Sequence, residues 1–125
     1  MLLPARLIEA VAAGEAWQWE LGGGQDGHGH DQGFEISGGE GSGYIDLMNW
    51  YEHATRVSTV KLLEALVRGY GIQMWWGELR AFGQPQDSIP LLTIAAFDST
   101  WYDIDGAAEL VGTLASAFED AIVSN

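Results

Sequence analysis

Leu3, Leu7, Ile8 and Val11 recur at helical spacing, Pro4 suits a first turn and Gly14 suits the residue past a helix end. The chain therefore opens with a predicted helix near residues 4–13. Trp17, Trp19 and Leu21 then alternate with Gln18 and Glu20, the pattern of a half-buried strand in residue types that favour strands. From Gly22 to Gly43 ten of 22 positions are Gly, interrupted by Phe34-Glu35-Ile36, which predicts two flexible turns around one short strand. Tyr44, Ile45, Leu47 and Met48 mark another strand. Its end stays open, because Asn49-x-x-Glu52 also resembles a helix start.

Helical projection separates the next elements. If 50–70 formed one helix, Trp50, Ala54 and Val57 would lie opposite Leu62, Leu63, Leu66, Val67 and Tyr70, leaving no single stripe to bury. A break near Thr55–Thr59 resolves this, with Ser58 or Thr59 capping a helix to about Arg68 and Gly69 or Gly71 ending it. Ile72, Met74 and Trp76 alternate with Gln73 and Trp75, and the pattern changes phase after Gly77, as a bulge would produce. Gly83–Ser88, with Pro85, reads as a hairpin loop, and Leu91–Phe97 as a central strand. Asp105 is placed to cap a last helix whose stripe is Ala107, Leu110, Val111, Leu114, Phe118, Ala121 and Ile122. These elements predict an α+β fold, a mostly antiparallel five-stranded sheet with three helices in the order α-β-β-β-α-β-β-α.

A length of 125 residues bounds this to one domain, residues 1–125, with the Gly-rich turn region at 22–43 inside it. Charge changes the picture more. Eighteen acids against five bases give a formal charge of −13, which excludes general gripping of nucleic acid and of anionic membranes. The charge is uneven: residues 1–54 sum to −8, 55–80 to +2 and 81–125 to −7, so a mildly basic centre lies between two acidic flanks. Arg56, Lys61 and Arg68 do not align on one helical face and read as solubilising charges and as partners for the flanking acids. No apolar run reaches membrane-spanning length and the first residues lack a signal-peptide pattern, so a cytoplasmic location is expected. Absent Cys rules out disulfides and thiolate metal sites.

Catalytic motifs are weak. His28 and His30, spaced by two beside Asp31, with His53 elsewhere, are the most tempting metal-ligand pattern and the basis of a metalloenzyme alternative. Their Gly neighbours make ordering a site costly in entropy, so no metal or other cofactor is expected. Aligning Asp103-Ile104-Asp105-Gly106 with a calcium loop puts Trp101 where the first Asp belongs and Gly112 where the bidentate Glu belongs, and the match fails. There is no G-x-S-x-G elbow, and the Gly tract lacks the G-K-[ST] ending of a phosphate loop.

The stretch Phe97–Asp105, read as a strand-to-helix connection, sets Trp101 and Tyr102 among Asp98, Asp103 and Asp105; aromatic anchors amid charge are the make-up of a binding hot spot. Glu109 extends that patch. Glu119 and Asp120 fall in the predicted last turn of the final helix, against its dipole and with no base after them, which suggests cations supplied by another molecule. Adjacent Trp75 and Trp76 must point to opposite sheet faces, so one is left for an interface; a homodimer is its economical use, and a groove for an apolar segment of another protein is the rival.

Through Leu7–Val11, Trp17–Leu21, Phe34–Ile36, Tyr44–Met48, Leu62–Val67, Ile72–Phe82, Leu91–Phe97 and Leu110–Ile122, the predicted order resembles the type III secretion chaperone family and the similarly folded YbjN-like domains. The resemblance is one of architecture, size and acidity, and the Gly-rich tract stands outside it. It implies homodimers that bind an unfolded segment of a secreted protein along apolar patches. The charge pattern itself favours a different role, a non-enzymatic acidic inhibitor of the immunity or phage anti-defence type that covers the basic face of a nucleic-acid-handling protein.

Overall fold

The computed structural model describes residues 4–12, 14–25, 31–37, 42–68, 72–97 and 101–118. The first apolar stripe winds into α1 (Pro4–Ala12), which buries Leu7, Ile8, Val11 and Ala12. The alternation after it becomes β1 (Gln18–Gly22), with Trp19 and Leu21 inside. The Gly-rich tract then forms three short strands, β2 (Gly24–Gln25), β3 (Asp31–Gly33) and β4 (Glu35–Ser37). Next come α2 (Ser42–Glu52), β5 (Val57–Ser58), α3 (Thr59–Arg68), β6 (Gln73–Phe82), β7 (Leu92–Phe97), β8 (Trp101–Gly106) and α4 (Ala108–Ala117). The α+β class and the mostly antiparallel sheet are as expected, with four helices in place of three.

The long strand β6 organises the sheet. On one flank it pairs with β1 through Glu78–Phe82 and with β4 through Gln73–Trp76, and on the other with β7. Both β1 and β4 run antiparallel to β6, so the Gly-rich tract is an excursion that interrupts one line of pairing, its β2–β3 ribbon leaving after β1 and returning as β4. The main path is β5-β1-β6-β7-β8.

Five expectations are corrected. Tyr44–Met48 is not a strand but the body of α2: Tyr44, Leu47, Met48 and Tyr51 recur at helical spacing, and Leu47 is fully buried with the other three packed around the core. Correspondingly, Glu52 ends this helix, so Asn49-x-x-Glu52 is no helix start. Residues 101–106, expected in a connection, are strand β8, because Tyr102 and Ile104 alternate with Asp103 and Asp105 at the period of a sheet. Asp105 therefore pairs with Thr93 and does not cap α4, whose cap position is Ala107 with no side-chain bond. Finally, α4 stops at Ala117, where Phe118 turns extended at φ −130° and ψ 126°; the expected continuation through Ala121 and Ile122 lies outside the described residues.

The sheet has six strands in place of five, and the expected turn region adds a separate two-stranded ribbon, β2–β3, while other local readings hold. Ser58 caps α3 by accepting a hydrogen bond from the Lys61 amide at 3.2 Å. The phase change in β6 is real and sits slightly earlier than expected: Glu35 faces Trp76 while Ile36 faces Met74, so Trp75 is the extra, bulged residue. Gly77 follows at φ +148°, and a Cβ there would stand 2.6 Å from the Phe34 ring, so only Gly fits. The core lies on one side of the sheet. Leu7, Ile8, Leu47, Leu62, Leu66 and Leu114 of the helices meet Trp19, Leu21, Leu79, Ala81, Leu92, Ile94 and Ala96 of the strands in one cluster. Within it the Trp19 indole donates to the Thr59 hydroxyl at 2.9 Å, fastening the start of α3 to β1.

Candidate functional site, the outer face of the sheet

Directly paired residues of antiparallel strands share a face, so the register fixes what stands opposite the core side. Glu20, Arg80, Thr93 and Asp105 form one row across β1, β6, β7 and β8. Gly22, Glu78, Ala95 and Asp103 form the next, and Glu35, Trp76 and Phe97 a third. Five carboxylates and one arginine thus share this outer face, and Arg56, just before β5, joins them from the edge.

At the β1–β6 end the cations are spent inside the molecule. Arg56 Nε lies 3.3 Å from Glu20 Oε2, its Nη1 donates to the Pro85 carbonyl at 2.8 Å, and its guanidinium sits 3.7 Å from the centre of the Phe82 ring. Phe82, an outer-face residue opposite Gln18, stays buried under that cover. Arg80 Nη2 lies 2.8 Å from Glu78 Oε2, and Arg80 Nη1 lies 3.5 Å from Glu20 Oε1. The guanidinium occupies the space a side chain at Gly22 would fill, which explains a Gly at this strand position. Arg56 thereby answers an acid of the first flank, as the charge pattern suggested, while the Arg80–Glu78 pair lies within the central segment.

At the β8 end the arrangement reverses. Asp103 and Asp105 are exposed, stand on the outer face opposite Ala95 and Thr93, and have no ion pair among the described residues. Tyr102 occupies the other face, opposite Ala96, half-buried against the core, where burial raises its phenol from 10.0 to about 12. The expected patch is thus divided: the structure brings Asp103 and Asp105 together and puts Tyr102 behind them. Trp101 opens β8 opposite Phe97. Glu109 is exposed in the first turn of α4, a position the helix dipole favours for an acid. Asp98, Glu119 and Asp120 lie outside the described residues.

The two adjacent tryptophans differ from expectation, since neither belongs to the main core. Trp76 is half-buried and meets Phe97 edge-on at 6.3 Å, while Trp75 is 38% exposed and donates to Ser37 Oγ at 2.7 Å. Of the metal candidates, His28 and His30 lie outside the described residues and Asp31 begins β3 beside Gln25. His53 follows α2, exposed, with Nδ1 2.9 Å from the Asn49 carbonyl. Among the described residues no group of three or more His, Asp or Glu side chains is placed to hold a metal.

Glu20, Glu78, Arg56 and Arg80 were not singled out as one cluster by the sequence. The available signal was the alternation Gln18, Glu20 and Glu78, Arg80, which put polar residues on a common face; what was missing was the pairing of β1 with β6, some 60 residues apart. No helix among the described residues is long and apolar enough to cross a membrane. Compared with known proteins, the chain matches no family model, no curated protein and no solved structure.

Proposed function

We propose that the protein is a non-catalytic, acidic protein-binding module, an inhibitor of the immunity or anti-defence kind that covers the basic face of a nucleic-acid-handling protein from a cytoplasmic location. One observation carries the reading: on a single sheet face, Glu20 and Glu78 are answered by Arg56 and Arg80, whereas Asp103 and Asp105 present their charge to solvent. With a chain charge of −13, such carboxylates attract a cationic surface from a distance and speed its association. Half-buried Trp76 and Phe97 in the adjoining row supply apolar contact beside them. On that partner, the protein takes the place that nucleic acid would otherwise occupy.

The test is displacement. Host proteins retained on heparin are bound to labelled duplex DNA, and the protein is titrated in while anisotropy is read. The expected result is release of DNA by the wild type and at least about tenfold weaker release by a D103N/D105N variant. No release at saturating protein, or equal release by the variant, contradicts the assignment.

A second reading, a homodimeric secretion-chaperone-like protein that binds an unfolded segment, draws on a different surface. Val60 and Val67 on α3 are 65% and 59% exposed, one helical face apart by seven residues, which is an apolar stripe of the sort such a segment would use. Binding there would resist salt and fall on V60S/V67S substitution, whereas binding at the acids weakens steeply as salt rises.

A further inference from the structure

Resting on the reading above, we propose that the open flank of β8 takes an extended basic segment of the partner as an added strand, with Lys or Arg at alternate positions set against Asp103 and Asp105. In the path β5-β1-β6-β7-β8, β8 comes last, so among the described residues only its β7 side is paired. Alternate N–H and C=O groups of such a strand point away from its neighbour and can bond a segment laid alongside.

Charge selects the occupant. A second copy is disfavoured: joining two β8 strands while keeping both helix-covered faces on the same side brings the odd-numbered positions of one against those of the other. Centred on Ile104, such a pairing sets Asp103 of each copy across from Asp105 of the other, and like charges directly across strands destabilise the pair. The chain charge of −13 adds long-range repulsion. A neutral segment gains the main-chain bonds and leaves both acids unanswered. A segment with cations at every second residue places them opposite Asp103 and Asp105, and its intervening apolar residues fall on the side of Tyr102 and Ile104, both of which pack against the core. The same two carboxylates therefore keep copies apart and specify the partner's alternation.

Two synthetic peptides of identical composition test this on the full chain, one alternating Lys and Val, the other with its Lys gathered in a block. Calorimetry gives affinity, and amide hydrogen exchange of residues 101–106 reports strand addition. The alternating peptide is expected to bind about tenfold tighter than the block peptide and to slow exchange at every second β8 amide, with the preference lost in D103N/D105N. Equal binding of both peptides without protection of β8 overturns strand addition while leaving the acidic-surface reading in place. Failure of both to bind also overturns it, and the displacement of DNA then decides the functional reading on its own.

Discussion

Glu20 and Asp105 stand in the same row of the sheet at its two ends, and they differ in what answers them. Around Glu20, two arginines approach within 3.5 Å and one also covers Phe82, so charge there joins β1, β5 and β6 and shields an aromatic ring. Around Asp105 and its neighbour Asp103 no described cation approaches, and the strand beneath them is the last of the sheet. Where the cation is intramolecular, a carboxylate is part of the fold. Where no described cation answers it, the carboxylate adds self-repulsion to a chain already at −13.

Substitutions sharpen this contrast in order of size. Trp19→Ala, behind Glu20 on the core side, removes a fully buried indole and strands the Thr59 hydroxyl; a loss of about 3–5 kcal/mol is expected by urea denaturation. Tyr102 gives the next largest effect, through pH. Its phenol ionises near 10.0 when unfolded and near 12 when folded, so the neutral form is the one the fold favours. Its contribution is intact below pH 10 and is lost as pH rises from 10 towards 12, a fall on the order of 1–2 kcal/mol for a partly solvated group. Tyr102→Phe should flatten that part of the stability profile relative to wild type.

Arg80→Gln comes third. Its side chain is 33% exposed and both its ion pairs are in contact with water, so about 1 kcal/mol is expected, with salt narrowing the difference. D103N/D105N closes the series: stability should stay within about 0.5 kcal/mol of wild type or rise slightly, since these exposed acids have no ion pair among the described residues. A destabilisation by D103N/D105N as large as that of Arg80→Gln would erase the distinction between the two ends.

How much of this was legible beforehand follows from the range of each interaction. The stripe Leu7, Ile8, Val11 and the alternation Trp17, Trp19, Leu21 are local patterns, and they gave α1 and β1 correctly. The capping Ser58 and the hairpin through Pro85 were equally local. Residues 44–48 were misread because five residues containing four large apolar side chains suit a buried strand as well as a helix turn; only extending the pattern to Tyr51 reveals the helical period. In 101–106 the error ran the other way, since Asp105-Gly106 imitates a helix cap and hid a strand pattern. The acids Asp103 and Asp105 were found from composition, but their separation from Tyr102 follows from strand alternation, and the Glu20–Arg56–Arg80 cluster follows from strand pairing far apart in the chain.

The most direct test of the account is the salt dependence of partner binding by wild type and D103N/D105N, measured with the urea midpoint of each. Wild-type affinity is expected to fall steeply with salt and that of D103N/D105N clearly less, with matching midpoints. Identical affinities and identical salt slopes for the two proteins would contradict it.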